Sequence, residues 1–409
     1  MSPDEISRLN DWIVAEGLKG TPETELLPAL CRRLIAADIP LLRANIYEPT
    51  LHPIVGGHLF IWWRGERQAV REDWNRSGAG PQAGGSLSPF DHMIVAEKQT
   101  VRVRLADSDQ DAGFPLFEEF RSRGGTDYFA IQVPFGEARV LGQVDRVLLS
   151  WVTDAAMGFG VWHLEVFERI AGTLALTVKD ASSFHIAHSV IGTYLGEDAG
   201  RRVLSGEIER GAGETIRAAL WYCDLEGFTK LADRTPRDRL LAMLDDYFEC
   251  LVTTLNEHGG QVLKFMGDGL LAIFALGDDA SSCRAALDAA EALRHRLAAL
   301  TAEREAARLP VSAFYVALHL GEVMYGNIGA RRRLDFTVLG PAVNEASRIE
   351  SLCRSLQQRL LASAAFAEAT GDSSKRLVSL GEHCLRGVRA PQELFTLRQD
   401  LSKPLPAWR

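Results

Sequence analysis

Apolar positions along this chain alternate between a period near two and a period near three and a half, and the switches mark out its elements. Two helical stretches are predicted first, over residues 6–16 and 23–37. Candidate strands follow at 41–47, 58–63, 100–105, 128–133 and 147–152. Between the second and third lies a Gly- and Pro-rich loop, residues 77–85. Leu164, Phe167, Ile170, Leu174 and Val178 then recur in steps of three and four, so they share one face of a helix. The pattern resumes at Ile186, Val190 and Tyr194. That narrow stripe suits either a short parallel dimer seam or ordinary packing. Gly-rich polar sequence over 196–214 marks a domain boundary.

The second half opens on the apolar run 218–223, read as a buried strand. A helix follows, with Thr235 expected as N-cap and Pro236 at its first position. Leu240, Leu244, Phe248, Leu251 and Leu255 form its apolar face, and Gly259-Gly260 ends it. Two apolar runs, 261–266 and 270–275, are joined by Gly267-Asp268-Gly269, a hairpin signal. A long helix over 280–307, strands near 314–320 and 336–339, and a helix over 341–356 complete the pattern. The order β-α-β-β-α-β predicts an α+β fold of ferredoxin-like type, an antiparallel sheet with helices on one face. The first half reads as a mixed α/β domain joined to it by a helix.

At 409 residues the chain is long enough for two domains. Its net charge of −9 argues against a nucleic-acid partner, which would need clustered Lys and Arg. No apolar run is long enough to span a bilayer, and the N-terminus lacks a signal-peptide pattern, so a cytoplasmic protein is expected. The six cysteines are scattered, without CxxC or Cys/His metal spacing, and read as free thiols.

Three motifs carry chemistry. In Asp224-Leu225-Glu226-Gly227-Phe228-Thr229, an apolar strand ends in a carboxylate and turns through a glycine. Asp268 stands at the hairpin tip. A lone Asp at either place is usually a cap or a turn residue. Together, if strand and hairpin are neighbours, they put two carboxylates at one sheet edge, where they repel unless a cation lies between them. Hard oxygen ligands suit Mg²⁺ or Mn²⁺ in a two-metal phosphoryl-transfer layout. Asn344 and Arg348, four apart on a helix, share a face suited to an anionic transition state. By themselves they would pass for an exposed polar face.

These motifs, with Lys264-Phe265-Met266-Gly267-Asp268-Gly269 and the run from Thr337 to Arg348, resemble the class III adenylate/guanylate cyclase catalytic domain over residues 214–398. The resemblance implies that Asp224 and Asp268 bind two divalent cations, Mg²⁺ or Mn²⁺, with the Leu225 carbonyl as a further ligand. It implies that Lys264 and Thr337 select the purine and that Asn344 and Arg348 stabilise the transition state. Backbone groups around Gly227, Phe228 and Thr229 would cradle phosphate, and Arg386 or Arg389 would supply a cation to the triphosphate. It further implies a homodimer, each site taking its metal ligands from one copy and its purine-selecting and transition-state residues from the other. Guanylate-type members typically carry Glu and Cys at the two purine positions. Lys264 can donate to adenine N1, and a Thr337 hydroxyl can accept from the adenine amino group, so ATP is the expected substrate. Pro341 departs from the pattern, since many members have Asp there; proline suits a first helical turn. The alternatives are a guanylate cyclase and a catalytically silent nucleotide-binding signalling module, and the second would usually have lost one of Asp224, Asp268, Asn344 and Arg348.

Residues 1–180 resemble a GAF-type sensor domain in the stretch 128–135, the strand 147–152 and the helix through Ile170 and Leu174. The resemblance implies a regulatory domain answering to a small-molecule or protein signal, a helical linker over 181–213, the catalytic domain over 214–398 and a tail over 399–409. Six of the eight tryptophans precede Gly196 and read mostly as core residues, with an aromatic-lined pocket as the alternative. His52, His58, His92 and His163 show no metal-ligand spacing.

Overall fold

A computed structural model describes residues 1–76, 88–106, 114–136, 142, 144–388 and 390–401. The loop expected at 77–85 and most of the tail lie outside the described residues. Contacts divide the chain into two units, Met1–Val190 and Ile191–Arg409.

The first unit contains α1 (Pro3–Lys19), α2 (Glu23–Ala36), β1 (Arg43–Pro49), β2 (Val55–Trp63), β3 (Val70–Asn75), α3 (Pro89–Val95), β4 (Thr100–Arg104), α4 (Pro115–Ser122), β5 (Asp127–Pro134) and β6 (Arg146–Thr153). Most of α5 (Val161–Leu195) belongs to it as well. Its strands form one antiparallel sheet in the order β3-β2-β1-β6-β5-β4. Side chains alternate across the sheet. Phe129 and Ile131 join Ile13, Leu30, Phe167 and Leu174 in a core under α1, α2 and α5. Tyr128 and Ala130 face the other way, onto Met93, Phe117 and Phe120 of α3 and α4. Trp62 and Trp151 are core residues, as expected, and Trp151 stacks on Phe167 with ring centroids 4.3 Å apart. Strand β3 escaped the sequence reading because all six of its residues are exposed, so no apolar period announces it.

The second unit contains α6 (Glu197–Leu204), β7 (Gly213–Leu225), α7 (Phe228–Ala232), α8 (Arg237–Glu257), β8 (Gln261–Met266), β9 (Gly269–Phe274), α9 (Asp279–Ala306), β10 (Phe314–Ala330), β11 (Arg333–Leu339), α10 (Pro341–Leu352), β12 (Leu360–Ser363), α11 (Ala364–Ala369), β13 (Leu377–His383) and β14 (Gln392–Leu397). The central strands lie in the order β10-β7-β9-β8, all antiparallel, which is the expected ferredoxin-like core. Strands β12, β14 and β13 extend it beyond β10. Ala219, Trp221 and Cys223 face α8 and α9. Ala218 and Leu220 face the opposite layer, where Ala342 and Ala346 of α10 and Ala199 of α6 cover the sheet. Helices therefore cover both faces of this sheet, not the single face expected.

Two local expectations need correction. Helix α8 starts at Arg237, and Pro236 is its N-cap without a side-chain bond; at ψ 142° Pro236 is still extended, and Thr235 does not cap. Proline fixes φ but leaves ψ free to remain outside the helix. The segment read as a polar boundary contains α6. Asp198 pairs there with Arg202 one turn on, and accepts a hydrogen bond of 3.0 Å from the Tyr325 hydroxyl.

Tyr247 of α8 is fully buried, and its hydroxyl donates to the Ser312 carbonyl and accepts from the Ser312 N–H, both at 2.8 Å. Tyr247→Phe leaves both Ser312 groups unpaired. We expect a loss of about 1–3 kcal/mol in the urea unfolding of the second unit, and a loss below about 0.5 kcal/mol would show the bonds to be dispensable.

Candidate active site

Strand β7 delivers Asp224 to the end of the sheet. Its apolar run is clamped on both sides, by β9 from Ala219 to Cys223 and by β10 along its whole length. Asp224 lies opposite Tyr315 of β10. On the other side, Met266 pairs with Gly269, so Gly267 and Asp268 form a two-residue hairpin turn. Gly267 takes φ 70°, in the left-handed region that such turns require of their first residue. Gly269 is the contact between the two motifs. A Cβ placed there would stand 2.1 Å from the Cys223 carbonyl oxygen and 2.9 Å from Asp224 Oδ1. Only glycine lets the hairpin tip close onto Asp224. The two carboxylates, distant in sequence, thus meet as expected.

Burial, with Asp268 beside it, pushes the Asp224 carboxyl up to about 6. A third acid, Glu350 of α10, belongs to the same cluster. Burial, together with Asp224 and then Asp268, pushes its carboxyl up to about 7. The sequence reading missed Glu350. Its only signal is its place two residues after Arg348, on the helix that covers this end of β7. Carboxylates held this close repel one another unless a divalent cation lies between them, so Asp224 and Asp268 fit the role of metal ligands. Leu225 is buried beside them at the end of β7.

The following turn holds Gly227 at φ 67°, capping the five-residue helix α7, with Phe228 half-buried and Thr229 exposed. Glu226 is anchored by the Tyr315 hydroxyl, which donates to its Oε1 at 2.9 Å.

Asn344 and Arg348 lie on α10, one turn apart, and both line a cavity of about 490 Å³ with Gly340, Pro341, Gly387 and Val388. Gly387 follows Arg386 in a turn at φ 75°, and a Cβ there would stand 3.5 Å from Arg348 Nη2. The late turn therefore lies against the Arg348 guanidinium, as a shared anion site needs. Arg386 is exposed; Arg389 lies outside the described residues. Neither Asp224 nor Asp268 lines this cavity.

The two residues expected to select the purine lie on neighbouring elements. Strands β8 and β11 pack together, with Leu263 and Phe336 in one apolar cluster. Lys264 is exposed on β8. Thr337 on β11 is buried, and its Oγ1 has no hydrogen-bond partner among the described residues. An orphaned buried hydroxyl costs free energy and favours any ligand that satisfies it.

A carboxylate pair at a sheet end, an Asn/Arg pair one helical turn apart and a ferredoxin-like core are the features the sequence led us to expect of a nucleotidyl cyclase catalytic domain. Residues 213–399, a little under half of the chain, match the family model of the adenylate and guanylate cyclase catalytic domain. An uncharacterised protein of Mycobacterium tuberculosis is 35% identical over 204 residues, covering 49% of this chain and 35% of its own. One of Mycobacterium bovis is 35% identical over 214 residues, covering 51% of this chain and 36% of its own. The match thus takes in little more than a third of these curated relatives. Among solved structures, the adenylyl cyclase CyaB from P. aeruginosa is 22% identical with a TM-score of 0.42, covering 46% of this chain and 95% of that one. The guanylyl cyclase Cya2 is 25% identical with a TM-score of 0.41, covering 45% and 93%.

Two outcomes are expected. Gly269→Ala forces β7 and β9 apart and should cost about 1–3 kcal/mol or more in thermal or urea unfolding; an unchanged midpoint would contradict the close approach. The second concerns pH. Asp224 and Glu350 hold protons in the folded state that the unfolded chain, with ordinary values of 3.8 and 4.5, has already released. The metal-free fold therefore binds the extra protons, and stability falls as pH rises from about 4 through 7. Glu350→Gln should flatten part of that fall in a series of thermal melts, whereas parallel curves for the two proteins would exclude Glu350 from the effect.

Proposed function

We propose that this chain is a homodimeric adenylate cyclase that converts ATP to 3′,5′-cyclic AMP and pyrophosphate. The observation that carries the reading is the division of the catalytic set within one chain. The acids Asp224 and Asp268 gather at one end of the sheet, while Asn344 and Arg348 line a separate cavity. A second copy turned about a two-fold axis would bring one chain's acids to the other's cavity, making two equivalent sites. Asp224, Asp268 and the Leu225 carbonyl would hold two divalent cations, Mg²⁺ or Mn²⁺. Bound there, the ions supply an acidified 3′-hydroxyl and charge neutralisation on the leaving pyrophosphate.

The chain's own residues do the rest. Backbone groups at Gly227, Phe228 and Thr229 receive phosphate. Asn344 and Arg348 offset charge on the α-phosphate as the ribose 3′-oxygen bonds to phosphorus and pyrophosphate departs. Arg386 or Arg389 holds the triphosphate from the late turn. Lys264 donates to adenine N1 and Thr337 accepts from the adenine amino group, which favours ATP over GTP. The motifs include no side-chain general base, so catalysis is positioning and electrostatics.

Residues 1–180 are read as a GAF-like regulatory domain, a reading supported by their antiparallel sheet between helical layers. It would take a small-molecule or protein signal and pass it through the helical linker, residues 181–213, to the catalytic domain, residues 214–398, with a tail over 399–409. No helix among the described residues is long and apolar enough to cross a membrane. The proposed location is cytoplasmic, with no nucleic-acid partner.

Incubation of the full chain with ATP or GTP and Mn²⁺, read by mass, should give cyclic AMP in excess of cyclic GMP. A cyclic GMP excess would reverse the purine assignment, and no cyclic product would leave a silent module. Asp224→Ala and Asn344→Ala should each lower kcat by at least about 100-fold. Mixed, the two variants should regain activity through one intact site per heterodimer. A dead mixture of chains shown to have paired would refute the shared site.

A further inference from the structure

The first unit contains a second acidic cluster, unrelated to the cyclase motifs. Glu23 opens α2, Glu48 lies near the end of β1 and His185 projects from α5. One ligand atom from each lies within 4.8 Å of the others. Both glutamates are 1% exposed. Among the described residues, neither oxygen of Glu48 has a hydrogen-bond partner of good geometry, nor has Glu23 Oε1 or His185 Nδ1. Buried carboxylates are almost always satisfied, because an unpaired one costs several kcal/mol or gives up its charge.

The neighbours do not resolve this. Burial dominates and pushes both carboxyls up, and Glu23 pushes Glu48 further. Ser182 faces Glu48 and tempers its shift, but makes no hydrogen bond of good geometry to it. Arg71 also tempers both acids, but its guanidinium is engaged by Asp73 at 2.8 Å and approaches His58 Nε2 at 3.4 Å. A helix N-terminus accounts for a carboxylate at Glu23. It does not account for Glu48 or for an imidazole converging on both.

We propose that Glu23, Glu48 and His185 form a binding site for a divalent transition-metal ion of the zinc class. Two carboxylates balance the charge of such an ion, and an imidazole nitrogen selects it over Mg²⁺ or Ca²⁺, which prefer oxygen. Modest side-chain rotation brings the donors to the ~3.4 Å separation of a tetrahedral centre with ligands at ~2.1 Å. His185 also lines a cavity of about 330 Å³, with His58, Arg71 and His188 among its walls. Of the three proposed ligands only His185 borders that cavity; the two glutamates lie away from its walls. The three residues stand on three elements, far apart in sequence, so no motif spacing reveals them.

The test uses the full chain with Asp224→Ala and Asp268→Ala, which removes the proposed catalytic ion site. After chelator treatment the protein is titrated with Zn²⁺ by calorimetry and with Co²⁺ by absorption spectroscopy. One ion per chain is expected, with Co²⁺ giving the bands of a low-coordinate nitrogen and oxygen site. Glu48→Gln and His185→Gln should each weaken binding at least about tenfold. Glu48→Gln removes a buried charge, so its metal-free melting temperature should equal or exceed that of the parent. If it melts lower, His185→Gln decides the matter. Failure of the parent to bind, binding unchanged in the folded variants, or a thiolate charge-transfer band would each overturn the proposal. None of these readouts depends on cyclase activity, so this site and the proposed function stand or fall separately.

Discussion

A carbonyl oxygen of Cys223 and the backbone of Gly269 approach so closely that a methyl group cannot stand between them. The arrangement of the acids follows from that contact. It draws the β8–β9 turn onto the end of β7 and brings Asp268 to Asp224. It draws them into partial burial, where each proton or cation bound relieves real repulsion. The rigid flanking strands matter equally, because a loop would let the carboxylates drift apart and lower the energy of the empty site.

Helix α10 is the second organising element. One end presents Asn344 and Arg348 to a cavity, and two residues beyond Arg348 the same helix turns Glu350 toward the acids. A single rigid element thus faces both halves of the proposed catalytic set. Ala342, Ala346 and Ile349 fasten it to the sheet, so the polar residues gain their direction from apolar packing one or two positions away. The residues expected to act in chemistry are in this sense positioned by residues that do none.

What could be read from the sequence was whatever leaves a local trace. The hairpin announced itself through Gly267-Asp268-Gly269, and α8 through its apolar steps from Leu240 to Leu255. The ferredoxin-like strand order followed from the succession of periods. Strand β3 left no trace, because an edge strand exposed on all its residues has no reason to alternate. Glu350 was hidden because an acid on a helix is ordinary until the fold sets two others beside it. Glu48 and His185 were hidden for the same reason, more completely, since their meeting depends on a sheet and a helix from opposite ends of the unit. The second helical layer of the cyclase domain was missed because period alone gives a helix its wet and dry sides but not the face of the sheet it will choose.

The orphaned hydroxyl of Thr337 has one more implication. A hydroxyl rotor can give a proton or take one, so it can greet the amino group of one nucleobase or the carbonyl of the other. On the proposed assignment, then, Thr337 supports ATP by accepting from the adenine amino group, and Lys264 is what keeps the same rotor from serving guanine.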